Sequence, residues 1–202
     1  MIAIIDYGAG NILSVQKALD HIGCENVVTS DASVISAADG AVLPGVGSFG
    51  DAMDNLSASG LVSAVKEFAA SGKPFLGICL GLQVLFDASE ESPEAEGFSL
   101  MPGRVKRFPS DMGLKIPHIG WNSIEYNREC PLFKGLSENP YVYFVHSYYL
   151  EAAENSVVSA VAEYGVKFHA AVWKGKVFAT QFHPEKSGSV GLQILRNFAE
   201  MM

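Results

Sequence analysis

The stretch KPFLGICLGLQVLFD, from Lys73 to Asp87, sets the strongest limit on how this chain can fold. An apolar run ends at Cys79, and a helix-compatible segment from Leu82 to Phe86 follows Gly81. Gly77 and Gly81 flank the cysteine and leave room where neighbouring backbone approaches a tight turn. A buried strand, a sharp turn and a helix in this order are typical of a nucleophile elbow. The stretch therefore predicts that Cys79 lies on such an elbow.

A cysteine in this position has two interpretations. A helix N-terminus beside the sulfur favours the reactive thiolate, and the backbone N–H of Leu80 is then free to meet a developing oxyanion. Alternatively, Cys79 is a small buried hydrophobic residue at the end of a core strand. Gln83, four residues later, favours the first interpretation. A polar amide within an apolar run needs a partner, and the amide or carboxylate of a ligand would supply one.

Composition limits the kinds of partner. The 202 residues suffice for one domain with a full core, and the formal net charge of −8 disfavours nucleic acid. The three cysteines are widely spaced, which predicts neither a disulfide framework nor a zinc site and favours a reducing cytoplasm. No apolar run approaches the roughly 20 residues of a membrane-spanning helix. We expect a single cytoplasmic domain over residues 1–202, with no metal, cofactor, nucleic acid or membrane partner.

Strand-like runs alternate with helical stripes through the first half of the chain. The runs are at 2–5, 27–29, 41–43 and 75–78, and the stripes cover 12–22 and 61–69. This alternation predicts an α/β fold with a parallel sheet and helices on both faces. Ligands of such folds gather at the carboxyl ends of the strands. We therefore expect Asp6, Gly45 and Cys79 to lie at that edge of the sheet.

Two glycine-rich loops are predicted at the same edge. Gly8-Ala9-Gly10 lacks the complete dinucleotide fingerprint, because Leu13 stands where its third glycine is required. A structural turn or a partner contact is therefore favoured over nucleotide binding. The second loop, PGVGSFG at 44–50, either points consecutive backbone N–H groups into a cavity, as a second oxyanion donor, or forms an ordinary tight connection.

The second half of the chain has a different pattern. The acidic segment 88–97 is interpreted as a solvated surface loop without chemistry. Strand-like pieces with few helical stripes between them predict hairpins and a mixed sheet; they lie at 103–108, 141–145, 157–162, 167–173 and 177–181. The segment 117–122 is interpreted as a loop, in which Trp121 is either a core residue or an interface anchor.

A histidine near the C-terminal end of the chain is the candidate base. His183 follows a predicted strand, and Glu185 is close enough in sequence to orient the imidazole from its far side. His183 would then take the proton of Cys79. In the alternative, His183 merely caps the sheet edge. The other four histidines compete for the role but lack so close a carboxylate; they are His21, His118, His146 and His169.

These motifs together resemble a known family. GICLGLQ and HPEKS resemble the class I (triad) glutamine amidotransferases. Within that class, IDYGAGN, PGVGSFG, IPHIGWN, FVHSYY and TQFHPEKSG are similar to the glutaminase subunits of imidazole glycerol phosphate synthase. The similarity extends over nearly the whole chain. It implies a flavodoxin-like fold with a central, mostly parallel but mixed sheet flanked by helices.

The resemblance implies a reaction and a set of site residues. Cys79 would attack the carboxamide of glutamine to give a glutamyl thioester and ammonia, while His183 moves protons and Glu185 orients it. Water would then release glutamate. The oxyanion hole would be formed by Leu80 and the Val46–Gly47 peptide. Substrate would be held by Gly47, Gln83, Ser147 and Tyr148.

The resemblance also implies a partner. Ammonia would pass to a separate (β/α)8-barrel cyclase subunit, which makes imidazole glycerol phosphate and an aminoimidazole carboxamide ribotide for histidine biosynthesis. An enclosed route is useful because ammonia released into water becomes unreactive ammonium. Partner-facing positions would be Asn11, Trp121, Asn122 and Lys186. The alternatives are a glutaminase subunit of another amidotransferase, a stand-alone cysteine hydrolase, and a noncatalytic regulatory module.

Overall fold

The computed structural model describes every residue from Met1 to Met202. The strands are β1 Ile2–Ile5, β2 Asn26–Thr29, β3 Gly40–Gly45, β4 Phe75–Cys79, β5 Ala88–Ser89, β6 Ser92–Glu96, β7 Gly103–Arg107, β8 His118–Ser123, β9 Glu125–Tyr126, β10 Tyr141–His146, β11 Tyr148–Ala152, β12 Val158–Tyr164, β13 Val166–Lys174 and β14 Val177–Thr180. The helices are α1 Ile12–His21, α2 Ala32–Ala37, α3 Phe49–Ala58, α4 Val62–Ala70, α5 Leu80–Gln83 and α6 Gly188–Ala199. None of these helices has the length and apolar character needed to cross a lipid bilayer.

Five strands form the parallel part of the main sheet. They lie in the order β2-β1-β3-β4-β14, and all four pairings between them are parallel. This is the flavodoxin-like strand order, in which ligand sites lie outside the carboxyl ends of the strands. The order confirms the α/β fold that the alternation of strands and helices predicted.

The core lies in two layers, one on each face of the sheet. Along β1, Ile2 and Ile4 belong to one buried cluster, whereas Ala3 and Ile5 belong to the other. Successive side chains of a strand point to opposite faces, so a continuous apolar run fills both layers. Helices α1 and α6 cover the first layer, and α3 and α4 cover the second. Helices therefore pack against both faces of the sheet and hold in place the edge that the carboxyl ends of its strands form.

The rest of the main sheet contains the predicted hairpins. Strand β14 pairs antiparallel with β13, and the sheet continues through β11, β7, β5 and β6. The interpretation of 88–97 as a solvated loop was wrong, because β5 and β6 form a hairpin there. Ser92 in this hairpin is buried, and its hydroxyl accepts a hydrogen bond of 3.0 Å from the backbone N–H of Gly50. The acidic residues of the hairpin belong to a sheet edge, where charge discourages further strand pairing.

A separate two-stranded ribbon lies apart from the main sheet. Strands β8 and β10 pair antiparallel with each other, and Trp121 lies opposite Tyr143. The interpretation of 117–122 as a loop was therefore wrong. The alternation of a strand is present, with His118 buried and the outward-facing Ile119 and Trp121 exposed. Because the inward residue is a histidine, the segment lacks the apolar alternation by which half-buried strands are recognised.

Candidate active site

Cys79 ends strand β4 in a strained backbone conformation. Its φ of 57° and ψ of −108° lie in a region that residues other than glycine rarely occupy, at a cost on the order of 1–3 kcal/mol. A Cβ added at Gly81 would lie 1.9 Å from the carbonyl oxygen of Leu43, and one at Gly77 would lie 2.5 Å from the carbonyl oxygen of Gly81. The two glycines are thus required by close backbone approach, and the predicted elbow is confirmed.

The helix after the elbow is shorter than expected. The residues predicted to form it were 82–86, but α5 covers only Leu80–Gln83 and a turn follows. One helical turn carries only a small dipole, because the dipole arises from many aligned peptide units. The helix therefore contributes less to the reactivity of Cys79 than the sequence suggested.

His183 and Glu185 form a buried pair at the edge of the sheet where Cys79 lies. His183 Nδ1 lies 2.8 Å from Glu185 Oε1, and both side chains are 1% exposed. His183 follows β14, the parallel neighbour of β4, so the sheet brings it beside Cys79. Burial acts to lower the pKa of His183, but the neighbouring Cys79 and Glu185 outweigh burial and raise the pKa above its usual range. Nε2 is buried and has no partner other than the neighbouring Cys79. The imidazole thus presents this ring nitrogen to the site.

Asn11 contacts this pair directly. Its side-chain amide donates a hydrogen bond of 3.3 Å to Glu185 Oε1, the oxygen that also meets His183. Asn11 was assigned to the partner surface on the resemblance alone. Its contact places it behind the Glu185 carboxylate, between that carboxylate and the N-terminal end of α1.

A cavity of about 440 Å³ opens above the elbow. Nine of the predicted site residues line it: Val46, Gly47, Cys79, Leu80, Gln83, Ser147, Tyr148, His183 and Lys186. Glu185 lies behind His183, and Trp121 and Asn122 lie outside the cavity. No group of three or more His, Cys, Asp and Glu side chains is placed to hold a metal ion. The lining brings the thiol of Cys79 and the imidazole of His183 together with backbone groups and further polar side chains.

The glycine-rich loop after β3 forms one wall of the cavity. Gly47 has a φ of +99°, and a Cβ added to it would meet nothing within 4 Å. Glycine is needed there for its backbone conformation, not for space. Ser48 then caps α3, with its hydroxyl accepting a hydrogen bond of 3.2 Å from the backbone N–H of Asp51. The Val46–Gly47 peptide is thus held between a core strand and a capped helix.

The amide of Gln83 already has partners within the protein. Its Nε2 donates to the carbonyl oxygen of Tyr148 at 3.1 Å and to Gln181 Oε1 at 2.9 Å. The NH₂ group of Gln83 therefore has its partners within the protein and needs no ligand as acceptor, and binding of substrate by Gln83 stays a prediction. Gln181 is fully buried, and its Nε2 donates to Cys79 Sγ at 3.6 Å. Sequence reasoning missed Gln181, although a glutamine at the end of a buried strand and two residues before His183 was a usable signal.

Two of the competing histidines pair with each other. His118 Nδ1 lies 3.0 Å from His146 Nε2, and no carboxylate contacts either ring. Burial lowers the pKa of His118 to about 4 and that of His146 to about 3. Both are therefore neutral near pH 7, and neither has the carboxylate support that His183 has.

Glu91 is a cavity residue that the sequence analysis did not identify. It lies in the turn between β5 and β6, and its Oε2 accepts a hydrogen bond of 2.9 Å from the backbone N–H of Phe49 at the start of α3. It is the one acidic side chain in the cavity lining. The hairpin that was expected to lack chemistry therefore brings a negative charge to the site.

The other residues predicted to face a partner protein lie on the ribbon or next to it. Trp121 is 56% exposed, and its ring centroid lies 6.1 Å from that of Tyr143. Lys186 Nζ lies 5.9 Å from the centroid of the same Tyr143 ring. The amide of Asn122 turns inward and donates to the carbonyl oxygen of Glu163 at 2.8 Å. Trp121 therefore presents a large aromatic surface to solvent, whereas Asn122 is held by the protein itself.

Comparison with known proteins gives the family. The family model of class-I glutamine amidotransferases matches residues 3–202, and the chain belongs to this family. Among its relatives is the imidazole glycerol phosphate synthase subunit HisH of Syntrophotalea carbinolica, which is 54% identical over 206 residues, with all of both chains covered. The HisH subunit of Moorella thermoacetica is 52% identical, with all of this chain and 95% of the relative covered. The resemblance stated from the motifs is thereby confirmed.

A solved structure supports the fold. PurLQS from Thermotoga maritima is similar to this chain with a TM-score of 0.77, over 98% of this chain and 97% of that one. The two sequences are 19% identical, so the similarity concerns the architecture alone.

Proposed function

We propose that this chain is the glutamine-hydrolysing subunit of an imidazole glycerol phosphate synthase, and that residues 1–202 form one glutaminase domain. One observation carries the proposal: Cys79 and His183 line the same cavity, and Glu185 contacts the far side of the imidazole at 2.8 Å. Relatives at 52–54% identity that bear the synthase subunit name support the choice of enzyme.

Hydrolysis proceeds through a thioester. His183 takes the thiol proton of Cys79, and the sulfur attacks the side-chain carboxamide carbon of glutamine. The imidazolium then returns its proton to the leaving nitrogen, the C–N bond breaks, and ammonia departs. Water, deprotonated by His183, attacks the thioester and releases glutamate, and the proton returns to the sulfur. Glu185 holds Nδ1–H throughout, so that Nε2 faces the sulfur.

Backbone groups stabilise the charge that develops on the amide oxygen. The N–H of Leu80 and the Val46–Gly47 peptide border the cavity beside Cys79 and supply the oxyanion hole. Gln83, Ser147 and Tyr148 hold the rest of the substrate. Both Gln83 amide hydrogens have acceptors within the protein, so Gln83 offers the ligand its carbonyl oxygen.

Charged groups of the cavity fit a free amino acid. Glutamine carries an α-ammonium and an α-carboxylate, and Glu91 is the one acidic side chain in the lining. We assign the α-ammonium to Glu91. Its contact with the N–H of Phe49 uses one oxygen, Oε2, and leaves Oε1 for the substrate.

The ammonia is used by a second protein. We propose a cytoplasmic heterodimer with a (β/α)8-barrel cyclase, which adds the nitrogen and carries out the lyase step that yields imidazole glycerol phosphate. The exposed Trp121 and Ile119 on the ribbon support a protein interface there, and Lys186 lies next to both the ribbon and the cavity. Asn11 and Asn122 contribute to this interface indirectly. Asn11 donates a hydrogen bond to Glu185, and Asn122 joins the ribbon to the carbonyl oxygen of Glu163.

The nucleophile is tested by removing its sulfur. We expect Cys79→Ala to abolish glutamine-dependent synthesis by the complex with the cyclase, while synthesis from added ammonium salt continues. In the wild type, the glutamine analogue 6-diazo-5-oxo-norleucine should label Cys79, as peptide mass spectrometry would establish. Loss of the ammonia-dependent reaction as well would show damage to assembly. Hydrolysis of peptides without a second protein would instead favour a stand-alone cysteine hydrolase.

A further inference from the structure

A continuous series of hydrogen bonds joins strand β8 of the ribbon to the sulfur of Cys79. The positioning chain, as we call it, runs through Asn122, His118, His146, the carbonyl of Tyr148, Gln83 and Gln181. We propose that the positioning chain holds the Cys79 sulfur for attack and stabilises its thiolate form. This inference deepens the glutamine hydrolysis proposed above and rests on it.

Gln181 is the end of the positioning chain that touches the reacting atom. Its Nε2 lies 3.6 Å from Cys79 Sγ, and the side chain is fully buried. An N–H group only donates, so it stabilises the lone pairs of a thiolate more than those of a neutral thiol. Burial excludes water that would compete for the same donor.

Gln83 fixes the orientation of Gln181. Gln83 Nε2 donates to Gln181 Oε1 at 2.9 Å, so the oxygen of Gln181 faces Gln83 and its nitrogen faces the sulfur. A reversed Gln181 amide would set two NH₂ groups against each other and an oxygen against the sulfur. The second hydrogen of Gln83 Nε2 is used by the carbonyl of Tyr148, so Gln83 cannot reverse either.

The histidine pair fixes the next part of the positioning chain. The Tyr148 carbonyl oxygen also lies 2.8 Å from His146 Nδ1 and can only accept, so the proton of His146 is on Nδ1. His146 Nε2 is then an acceptor, and His118 Nδ1, at 3.0 Å, must donate to it. Burial lowers the pKa of both imidazoles, which keeps them neutral. Each hydrogen bond therefore has only one possible direction.

The outer end of the positioning chain lies beneath the exposed face of the ribbon. Asn122 Nδ2 is 3.5 Å from His118 Nε2, the acceptor that remains on that ring. Neighbouring residues of the same strand, Ile119 and Trp121, face solvent. A displacement of β8 would therefore act directly on the contact between Asn122 and His118.

The experiment measures the reactivity of the sulfur without substrate or partner. Iodoacetamide alkylation of Cys79 in the full-length chain is followed between pH 5 and 9 by peptide mass spectrometry. We expect Gln181→Met to move the midpoint of the rate profile up by about one pH unit, which slows alkylation about tenfold below the midpoint. The other titratable groups near the sulfur are unchanged in this variant; they are Tyr7, Glu91, His146, Tyr148, His183, Glu185 and Lys186.

A second variant tests the buried part of the positioning chain. His118→Phe keeps a ring to pack against Tyr164 and Phe144, whose centroids lie 4.0 and 4.9 Å from that of His118. It removes the donor to His146, and we expect alkylation to slow about threefold, less than for Gln181→Met because the effect is indirect. His169→Phe is the matched control, since His169 lies outside the positioning chain, with its Nδ1 accepting from the backbone N–H of Ala152. It should leave the midpoint unchanged.

The outcomes separate the two proposals. An unchanged midpoint in Gln181→Met would overturn the role of Gln181, and an unchanged profile in His118→Phe would overturn the buried part of the positioning chain. If Gln181→Met fails to fold, judged by thermal unfolding and by alkylation of the buried Cys130, then Gln83→Met, which cannot donate to Gln181, takes its place and should give a shift in the same direction. Glutamine takes no part in the assay, so failure here leaves the proposed hydrolysis standing. Failure of that hydrolysis would appear as a lack of labelling by the diazo analogue.

Discussion

At the scale of single residues, the charge of Glu185 is what distinguishes His183 from the other histidines. His183 is buried, yet its pKa is raised by Cys79 and Glu185, whereas burial alone lowers the pKa of His118 and His146. Burial thus leads to opposite shifts of the histidine pKa, depending on whether Cys79 and a carboxylate contact the ring.

Replacing Glu185 with glutamine removes the charge but keeps the shape and an acceptor for Nδ1–H. We expect the pKa of His183 to fall and glutamine turnover to drop at least about a hundredfold, because the imidazolium loses its counter-charge. NMR titration of the His183 ring and the pH profile of kcat measure the two effects. Asn11→Ala is the control: it removes one hydrogen bond to Glu185 but leaves the charge, so a loss of only about two- to tenfold is expected. Equal losses in the two variants would contradict the role of the charge.

At the scale of elements, the elbow depends on glycine where β4 meets α5. A methyl group at Gly81 would collide with the backbone of Leu43, at 1.9 Å from its carbonyl oxygen, so α5 and β3 would have to separate. We expect Gly81→Ala to lower the free energy of unfolding by about 3 kcal/mol or more, as measured by urea denaturation. Gly72→Ala, at a φ of +78° with nothing within 4 Å, should cost only about 1 kcal/mol. If both variants lost the same stability, close backbone approach would not be the reason for glycine at 81.

The β5–β6 hairpin provides a test of substrate recognition. Glu91→Gln keeps an oxygen to accept from the N–H of Phe49 but removes the negative charge from the cavity. We expect KM for glutamine to rise about tenfold with kcat little changed, because uniform binding of the α-ammonium is lost. Glu90→Gln is the matched control, since Glu90 accepts from the backbone N–H of Arg107 and does not line the cavity. A rise in KM for both variants would point to the hairpin fold and not to the charge.

Elements were predicted correctly where their signal was local. The runs at 2–5 and 75–78 are apolar throughout because both faces of their strands are buried, and His183 and Glu185 are only two residues apart. The sequence did not predict β8, because the inward-facing His118 and Asn122 replace the apolar residues of an ordinary strand. Gln181 and Cys79 are separated by 102 positions, so no local pattern connects them.

At the scale of the whole molecule, buried titratable groups limit stability on both sides of neutrality. His118 and His146 have lowered pKa values, so below about pH 6.5 the unfolded chain binds protons that the folded chain does not, and stability falls as the pH falls. His183 has a raised pKa, so its stabilising contribution is full below about pH 6.5 and is lost as the pH rises through the folded value. The raised pKa of Cys130, about 11 because of burial, acts in the same direction at alkaline pH.

We therefore expect the free energy of unfolding, measured in urea at pH 5, 7 and 9, to be greatest near pH 7. Each proton bound by only one of the two states contributes a slope of about 1.4 kcal/mol per pH unit. His118→Phe should flatten the acid side and Glu185→Gln the alkaline side. A stability that rose steadily from pH 5 to 9 in the wild type would contradict these assignments.

The order of the strands has a consequence for how the protein is made. Cys79 ends the fourth strand, but its basic neighbour follows β14, which is inserted between β4 and β13 after nearly all other strands have been synthesised. During translation, more than a hundred residues are therefore added after Cys79 before the imidazole of residue 183 and the carboxylate of residue 185 exist. By the proposed mechanism, a ribosome-bound chain that has not yet reached His183 holds the sulfur but lacks its base, so we expect glutamine hydrolysis to begin only after β14 has joined the sheet.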